Sequence, residues 1–244
     1  MQTQYQVERA IIMAAGTGSR MQPVTLETPK PLVKVNGVRM IDTVIDALHQ
    51  NGIYEIYVVV GYLKEKFQAL KEKFTDITLI ENPYYDTCNN IASLYVAREH
   101  LANAIILDGD QIIYNAEILK KSFTRSGYNC VWTDGETDEW LLRLDEEGAV
   151  SSCSRTGGSR GWQLYSVSRW NKDDGLRLKH HLEVEFEDKK NRQIYWDDVA
   201  LFCHPEDYRL GVFPMNREDI LEIDNLWELA AVDPTYARIQ VKEG

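Results

Sequence analysis

The 244-residue sequence is poor in several things that would each have named a class of protein. It has only four cysteines, Cys88, Cys130, Cys153 and Cys203, widely spaced and with no CxxC pair. That excludes a disulfide-built scaffold or a cysteine zinc knuckle and suits reduced thiols. Bases are outnumbered: 27 Lys and Arg against 38 Asp and Glu give a net charge of −11. No broad basic footprint for nucleic acid is expected from that balance. No uninterrupted apolar run reaches the roughly 18 residues of a membrane span, and Met1 to Arg9 is too polar for a secretory leader, so no membrane partner and a cytoplasmic location are expected. GxxxxGK[ST] and HExxH are both missing, which argues against a P-loop nucleotidase and a zincin. The remainder is ordinary for a globular chain, 44% hydrophobic and 27% charged, and long enough to bury a substantial core.

Hydrophobic rhythm in the first half alternates between two periods. Ala10 to Met13 is a short apolar run ending at a glycine-containing loop, and Met40 to Gln50 has helical spacing through Ile41, Val44, Ile45 and Leu48, stopped by Gly52. Tyr54 to Val60 reads as a strand, Lys64 to Phe74 as a helix, Ile77 to Ile80 as a strand, Asn90 to Glu99 as a helix and Ala104 to Leu107 as a strand. Such alternation predicts an α/β fold: a Rossmann-like, mostly parallel mixed sheet flanked by helices, joined by right-handed crossovers. Ligands of such sheets sit beyond the carboxyl ends of the strands. The second half changes rhythm: Cys130 to Thr133, Glu139 to Leu144 and Trp162 to Ser168 suggest a smaller antiparallel subregion. Asn171 to Glu185 reads as a helix, Ile194 to Cys203 is ambiguous, and Ile220 to Ile223 and Asn225 to Val232 form a closing strand and helix. One domain over 1–244 is expected, with a nucleotide-binding core near 9–125, an acceptor-binding part near 126–215 and a closing part near 216–244.

Four features can carry chemistry. The first is Gly16-Thr17-Gly18-Ser19-Arg20 followed by Thr28-Pro29-Lys30-Pro31-Leu32. Glycines allow backbone to approach a phosphate, Arg20 offers a fork of donors, and Lys30 is a cation stiffened between prolines. Alone, the glycines also fit an ordinary strand-to-helix turn; the whole pattern is more specific. The second is Asp108-Gly109-Asp110 at a strand end, a turn by composition but also a hard-oxygen pair suited to Mg²⁺. Asp197-Asp198 is the third, alternatively acids at a helix start. The fourth is aromatic: Trp140, Tyr195-Trp196 and Tyr84-Tyr85. Rings are usually core, yet Trp140 and Trp196 adjoin acids, and ring faces near carboxylates suit a quaternary ammonium. His180 and His181 lie in a charged stretch without a ligand partner at suitable spacing and read as a solvated face; His49, His100 and His204 read as isolated.

Ile11-Ile12-Met13-Ala14-Ala15-Gly16-Thr17-Gly18-Ser19-Arg20, with Pro29-Lys30-Pro31-Leu32, resembles the signature of nucleotidyltransferases that activate sugar phosphates and small alcohol phosphates. Val60-Gly61-Tyr62-Leu63-Lys64-Glu65, Asn89-Asn90, Ser93-Leu94-Tyr95, Glu139-Trp140, Tyr195-Trp196-Asp197 and Glu222-Ile223-Asp224 extend the resemblance toward bacterial CTP:phosphocholine cytidylyltransferases. That resemblance implies CTP and phosphocholine as substrates and Mg²⁺ as cofactor. It places Arg20 on the β- and γ-phosphates, Lys30 on the α-phosphate and incoming phosphate, and Asp110 and Asp197 on the metal. Ala14, Ala15, Gly16, Thr17, Gly18, Asn90, Ser93 and Asp108 fall on the nucleotide side. Trp140, Tyr195, Trp196 and Tyr85 fall on the acceptor side. Asp198 stands where the family pattern has an amide. Rival acceptors are phosphoethanolamine, 2-aminoethylphosphonate and sugar 1-phosphates. A non-catalytic nucleotide-binding module is the reading from another class, disfavoured because the cations and carboxylates are all present.

Overall fold

In a computed structural model, which describes residues 3–240, a mixed sheet of nine strands forms the centre of the molecule. Its strands are β1 (Arg9–Ala14), β2 (Glu55–Val60), β3 (Ile77–Glu81), β4 (Ala104–Asp108), β5 (Gly127–Thr137), β6 (Leu141–Leu144), β7 (Val150–Ser154), β8 (Gly158–Trp170) and β9 (Gly211–Pro214). The order β7-β6-β8-β4-β1-β2-β3 runs across the sheet, and β5 pairs with both β8 and β9. Strands β4, β1, β2 and β3 are parallel, whereas β8 joins β4 antiparallel, with Val167 opposite Leu107. The mostly parallel half and the antiparallel half are therefore one continuous sheet.

The apolar runs explain the parallel core. β1 is buried from Ala10 to Ala14, as expected for a strand covered on both faces. Helix α1 (Met40–Gln50) turns Ile41, Val44, Ile45 and Leu48 onto the sheet, all fully buried, and ends before Gly52 at φ 70°. The chain lays β1, β2 and β3 side by side, then crosses to β4 on the opposite flank of β1. The strand order reverses there, which opens a crevice beyond the carboxyl ends of β1 and β4. The Gly109 N–H donating to the Met13 carbonyl at 2.9 Å fixes the two strand ends together.

Several expected helices are shorter or wider than their sequence period suggests. Lys64 to Phe74 resolves into a 3₁₀ turn and a single α turn at Gln68–Lys71. Asn90 to Glu99 becomes α2 (Ile91–Val96) and a separate 3₁₀ turn at Arg98–His100. α3 (Lys172–Glu183) runs into a π turn at Val184–Asp188, and the ambiguous 194–203 segment contains a second π turn at Val199–Cys203. The closing part is as expected: a strand at Ile220–Glu222 pairs with Gln111–Ile113 and is followed by α4 (Leu226–Val232).

One glycine is demanded by sheet packing. Gly127 of β5 faces Gly211 of β9, and a Cβ on Gly127 would lie 2.1 Å from the Gly211 carbonyl oxygen. Gly127→Ala is expected to cost about 1–3 kcal/mol or more through forced separation of these strands. Urea unfolding at constant m-value measures it; unchanged stability would show that β5 and β9 separate freely.

Candidate active site

The crevice beyond β1 and β4 is filled by charge of both signs. Gly18 has φ 61°, and a Cβ there would come within 3.0 Å of the Lys30 Cβ, so this glycine lets the lysine stem lie across the loop. Gly16 borders open space, leaving room where a ligand would approach. Lys30, held by the turn after Pro29, places Nζ 2.6 Å from Asp110 Oδ2 and 3.2 Å from Asp224 Oδ1. Burial works against its charge, but Asp110 and Asp224 prevail and hold the ammonium above the ordinary lysine value. Arg20, 69% exposed, places Nη2 3.0 Å from the same Asp224 oxygen. One carboxylate oxygen thus takes both cations, as a phosphate oxygen would.

Two hollows meet at Lys30. One, of about 240 Å³, is lined by Met13, Ala14, Gly16, Thr17, Gly18, Ser19, Arg20, Lys30, Pro31, Asp110 and Asp224. The other, of about 270 Å³, is lined by Arg20, Lys30, Asn90, Asp108, Asp110, Glu139, Trp140, Leu164, Ser166, Tyr195, Asp197, Glu222 and Asp224. Its carboxylates crowd one another. Burial first, then the charges of Asp110 and Glu222, push the Asp108 carboxyl well above the usual range. Burial pushes Asp197 up to about 7 and Glu222 up to about 7. Asp197 Oδ1 is buried without a hydrogen-bond partner. Asp197 and Asp110 line the same hollow, and two carboxylates there, one of them desolvated and with an orphaned oxygen, are a donor set suited to a hard divalent ion.

Most sequence-selected residues converge here: Arg20, Lys30, Ala14, Gly16, Thr17, Gly18, Asn90, Asp108, Asp110, Trp140, Tyr195 and Asp197 all line one hollow or the other. Four do not. Trp196 is 1% exposed and packs against Tyr128 and Trp170 at ring-centroid distances of 6.1 and 6.2 Å, so it is core and no wall of a cage. The Trp196 N–H donates to Asn90 Oδ1 at 2.9 Å, which anchors the turn that presents Tyr195 and Asp197. Tyr85 packs against Gly61, where an added Cβ would lie 2.6 Å from the Tyr85 Cβ, away from the cleft. Ser93 is buried and accepts from Asn82 Nδ2 at 3.0 Å. Ala15 is buried and contributes its carbonyl to the Tyr62 N–H.

Asp198 lines neither hollow. It is 2% exposed, accepts from the Tyr195 N–H at 2.9 Å and pairs with Arg155 at 2.5 Å. The Arg155 guanidinium lies 4.0 Å from the Phe202 ring centroid and 5.6 Å from that of Trp140. Trp140 stands edge-to-face with both Tyr195 and Phe202, each at 5.7 Å. Arg155 and Asp198 therefore brace the aromatic wall from behind. Glu222 and Asp224 were quoted from sequence without a role; Glu-Ile-Asp alternation sends both acids to one side and Ile223 into the core. Leu164 and Ser166 alternate likewise on β8 but carry no compositional signal. Gly157-Gly158-Ser159-Arg160-Gly161 spells the letters of a hydrolase elbow, yet it leads into β8 within an antiparallel pairing instead of a strand-to-helix turn.

Residues 10–169 match the family described as MobA-like NTP transferase domain. A 2-aminoethylphosphonate cytidylyltransferase of Lancefieldella rimae is 38% identical over 93% of this chain and 92% of its own. The chain belongs to the nucleotidyltransferase family. A choline-phosphate cytidylyltransferase of Streptococcus pneumoniae is 35% identical over 79% of this chain and 82% of its own. The solved CTP:phosphocholine cytidylyltransferase of Streptococcus pneumoniae superposes with a TM-score of 0.83, covering 94% of this chain and 99% of that one at 30% identity. As a nucleotidyltransferase, the protein is an enzyme.

Because the folded state holds Asp197 near pH 7 against an ordinary 3.8, the metal-free protein binds a proton there that the unfolded chain has lost. The associated stability is complete below about pH 4 and disappears as pH rises through 7. Asp197→Asn is therefore expected to stabilise the metal-free protein at pH 8, by no more than about 4 kcal/mol, and to change little at pH 4. Equal effects at both pH values in urea titrations would refute that account.

Proposed function

We propose that the protein transfers a cytidylyl group from CTP to a small acceptor with a phosphonate or phosphate at one end and an ammonium at the other. Pyrophosphate leaves. An acceptor oxygen attacks the α-phosphorus; the new P–O bond forms as the bond to the β-phosphate bridging oxygen breaks. The attacking group is already anionic near neutral pH, so no protein nucleophile is required. Two anions must meet, and the chain's task is alignment and neutralisation of charge. Lys30 exchanges Asp110 and Asp224 for phosphate oxygens, and Arg20 exchanges Asp224 for the outer phosphates. Asp110 and Asp197 would hold Mg²⁺, which supplies a further counter-charge to the phosphates when bound. We place the nucleotide over the Gly16–Gly18 loop, in the hollow lined by Ala14, and the acceptor against Trp140 and Tyr195; 1–244 then acts as one catalytic unit.

The observation that carries the acceptor class is the Trp140–Tyr195 wall, two rings at 89°, with Glu139 lining the same cleft. Burial raises the Glu139 carboxyl above its ordinary value, a group that gains from an ammonium partner. With Trp196 in the core, two rings and a carboxylate remain. A primary ammonium uses both its hydrogen bonds and its charge there, which favours 2-aminoethylphosphonate, in keeping with the Lancefieldella relative. The edge-to-face ring pair favours phosphocholine as the second reading, since a trimethylammonium needs ring faces alone.

Pyrophosphate release with CTP and Mg²⁺ across 2-aminoethylphosphonate, phosphoethanolamine, phosphocholine and glucose 1-phosphate separates these readings. The expected order puts kcat/KM for 2-aminoethylphosphonate at least about tenfold above phosphocholine; the reverse order selects the second reading, and preference for the sugar defeats both. Trp140→Ala is expected to raise the KM of the ammonium acceptor by about tenfold with little change for CTP. Lys30→Ala is expected to lower kcat by about 10²–10³-fold; near-normal turnover would remove the lysine from the chemistry.

A further inference from the structure

Away from the cleft, the structure corrects the reading of two histidines. His181 is buried at the end of α3, and His204 follows the second π turn; their rings stack at a centroid distance of 3.8 Å and 8° between planes. Asp207 Oδ2 lies 3.5 Å from His181 Nε2 and 3.9 Å from His204 Nδ1. One ring nitrogen of each histidine and one oxygen of Asp207 are all within 4.8 Å of one another. Among the described residues this is the one group of three or more His, Cys, Asp and Glu side chains gathered so closely.

The opposite edges of both rings are already committed. His204 Nε2 lies 2.9 Å from Glu185 Oε1, and an ionised carboxylate can only accept, so the His204 proton belongs on Nε2 and its Nδ1 lone pair faces Asp207. Glu185 is itself buried and held by Lys189 at 2.6 Å and Asn191 at 3.0 Å, with its carboxyl kept below the ordinary value. His181 Nδ1 lies 2.8 Å from the Tyr208 hydroxyl. Burial, with His204 adding, pushes the His181 imidazole down to about 4, so this ring is neutral at pH 7. Second partners of this kind, a carboxylate behind one ring and a hydroxyl behind the other, are what orient imidazoles toward a metal. Both π turns, Val184–Asp188 and Val199–Cys203, flank the group and deliver Glu185 and His204 to it; widened turns of this type collect at functional positions.

We infer that His181 Nε2, His204 Nδ1 and Asp207 form a binding site for one borderline-soft divalent ion, Zn²⁺ by preference, separate from the Mg²⁺ carboxylates. The rings are parallel as they stand, so tilting out of the stack is what aims both lone pairs at one point, and two imidazoles with a carboxylate then leave a fourth position for water. The ion would tie the end of α3 to the 204–208 loop, which follows the segment that bears Tyr195 and Asp197. Its role is to stiffen the acceptor wall from outside.

The test uses the full chain stripped with EDTA, then titrated with Zn²⁺ or Co²⁺ in millimolar Mg²⁺, which occupies the cleft carboxylates. One equivalent is expected to bind, with four-coordinate d–d absorption for Co²⁺ and no thiolate charge-transfer band. The melting temperature should rise by roughly 5–10 °C at 100-fold the dissociation constant. Tyr208→Phe should weaken Zn²⁺ binding by about 10–100-fold, and His204→Gln and Asp207→Asn should abolish the stoichiometric site. The exposed Asp207 variant keeps the test decisive should the half-buried His204 variant fail to fold. Absence of a one-equivalent uptake, uptake retained in Asp207→Asn with the same Co²⁺ spectrum, or a thiolate band would each overturn the assignment and leave a stacked, hydrogen-bonded histidine pair only. Pyrophosphate release by the stripped protein reports on the catalytic reading separately.

Discussion

The single ammonium of Lys30 makes the acidic cleft possible. Asp108, Asp110, Asp197, Glu222 and Asp224 crowd one hollow, and unpaired carboxylates out of water cost several kcal/mol each. Lys30 touches two of them, Arg20 shares one, and three of the rest ease the repulsion by favouring a proton. Such a cleft is poised for cations in a way its charges alone do not convey. Under the proposed function, a triphosphate arriving with its counter-ions would take over both cations while the metal replaced the protons on the acids.

What was legible in the sequence follows the reach of each signal. The parallel half was readable because a strand covered on both faces must be apolar throughout, and Ala10 to Met13 and Tyr54 to Val60 show it. The Gly16–Arg20 loop and Lys30 were readable because their geometry is local: a left-handed glycine, a lysine pinned by prolines. The place of Trp196 is hidden in the sequence because its acidic neighbours suggest exposure. In the fold, Asp197 lines the cleft and Asp198 pairs with Arg155, while the Trp196 ring just before them goes inward to Tyr128 and Trp170. Sequence neighbours in an irregular segment do not share an environment, and no period exists from which to infer it.

The histidines failed for a related reason. His181 continues the buried stripe of Gly175, Leu178 and Leu182 on α3, a period outweighed in the sequence by the charged residues around it, whereas His204 lies two π turns further on, where no regular spacing carries over. Glu222 and Asp224 had the opposite problem. Their alternation was visible, but nothing short of the fold could say that the closing strand comes back across Lys30.

The continuity of β8 has a mechanical corollary. This strand hydrogen-bonds to β4 at Val167–Trp170 and, nearer its start, to β6 at Trp162–Gln163, so the parallel and antiparallel halves hang on one continuous strand. Among the described residues, the antiparallel half is tied to the parallel half through this strand, which opposes its swinging as a separate rigid body. Adjustment to different headgroups falls instead to side-chain rotation and to the loops around the cleft, an economical route by which one scaffold can acquire new acceptors without altering its backbone.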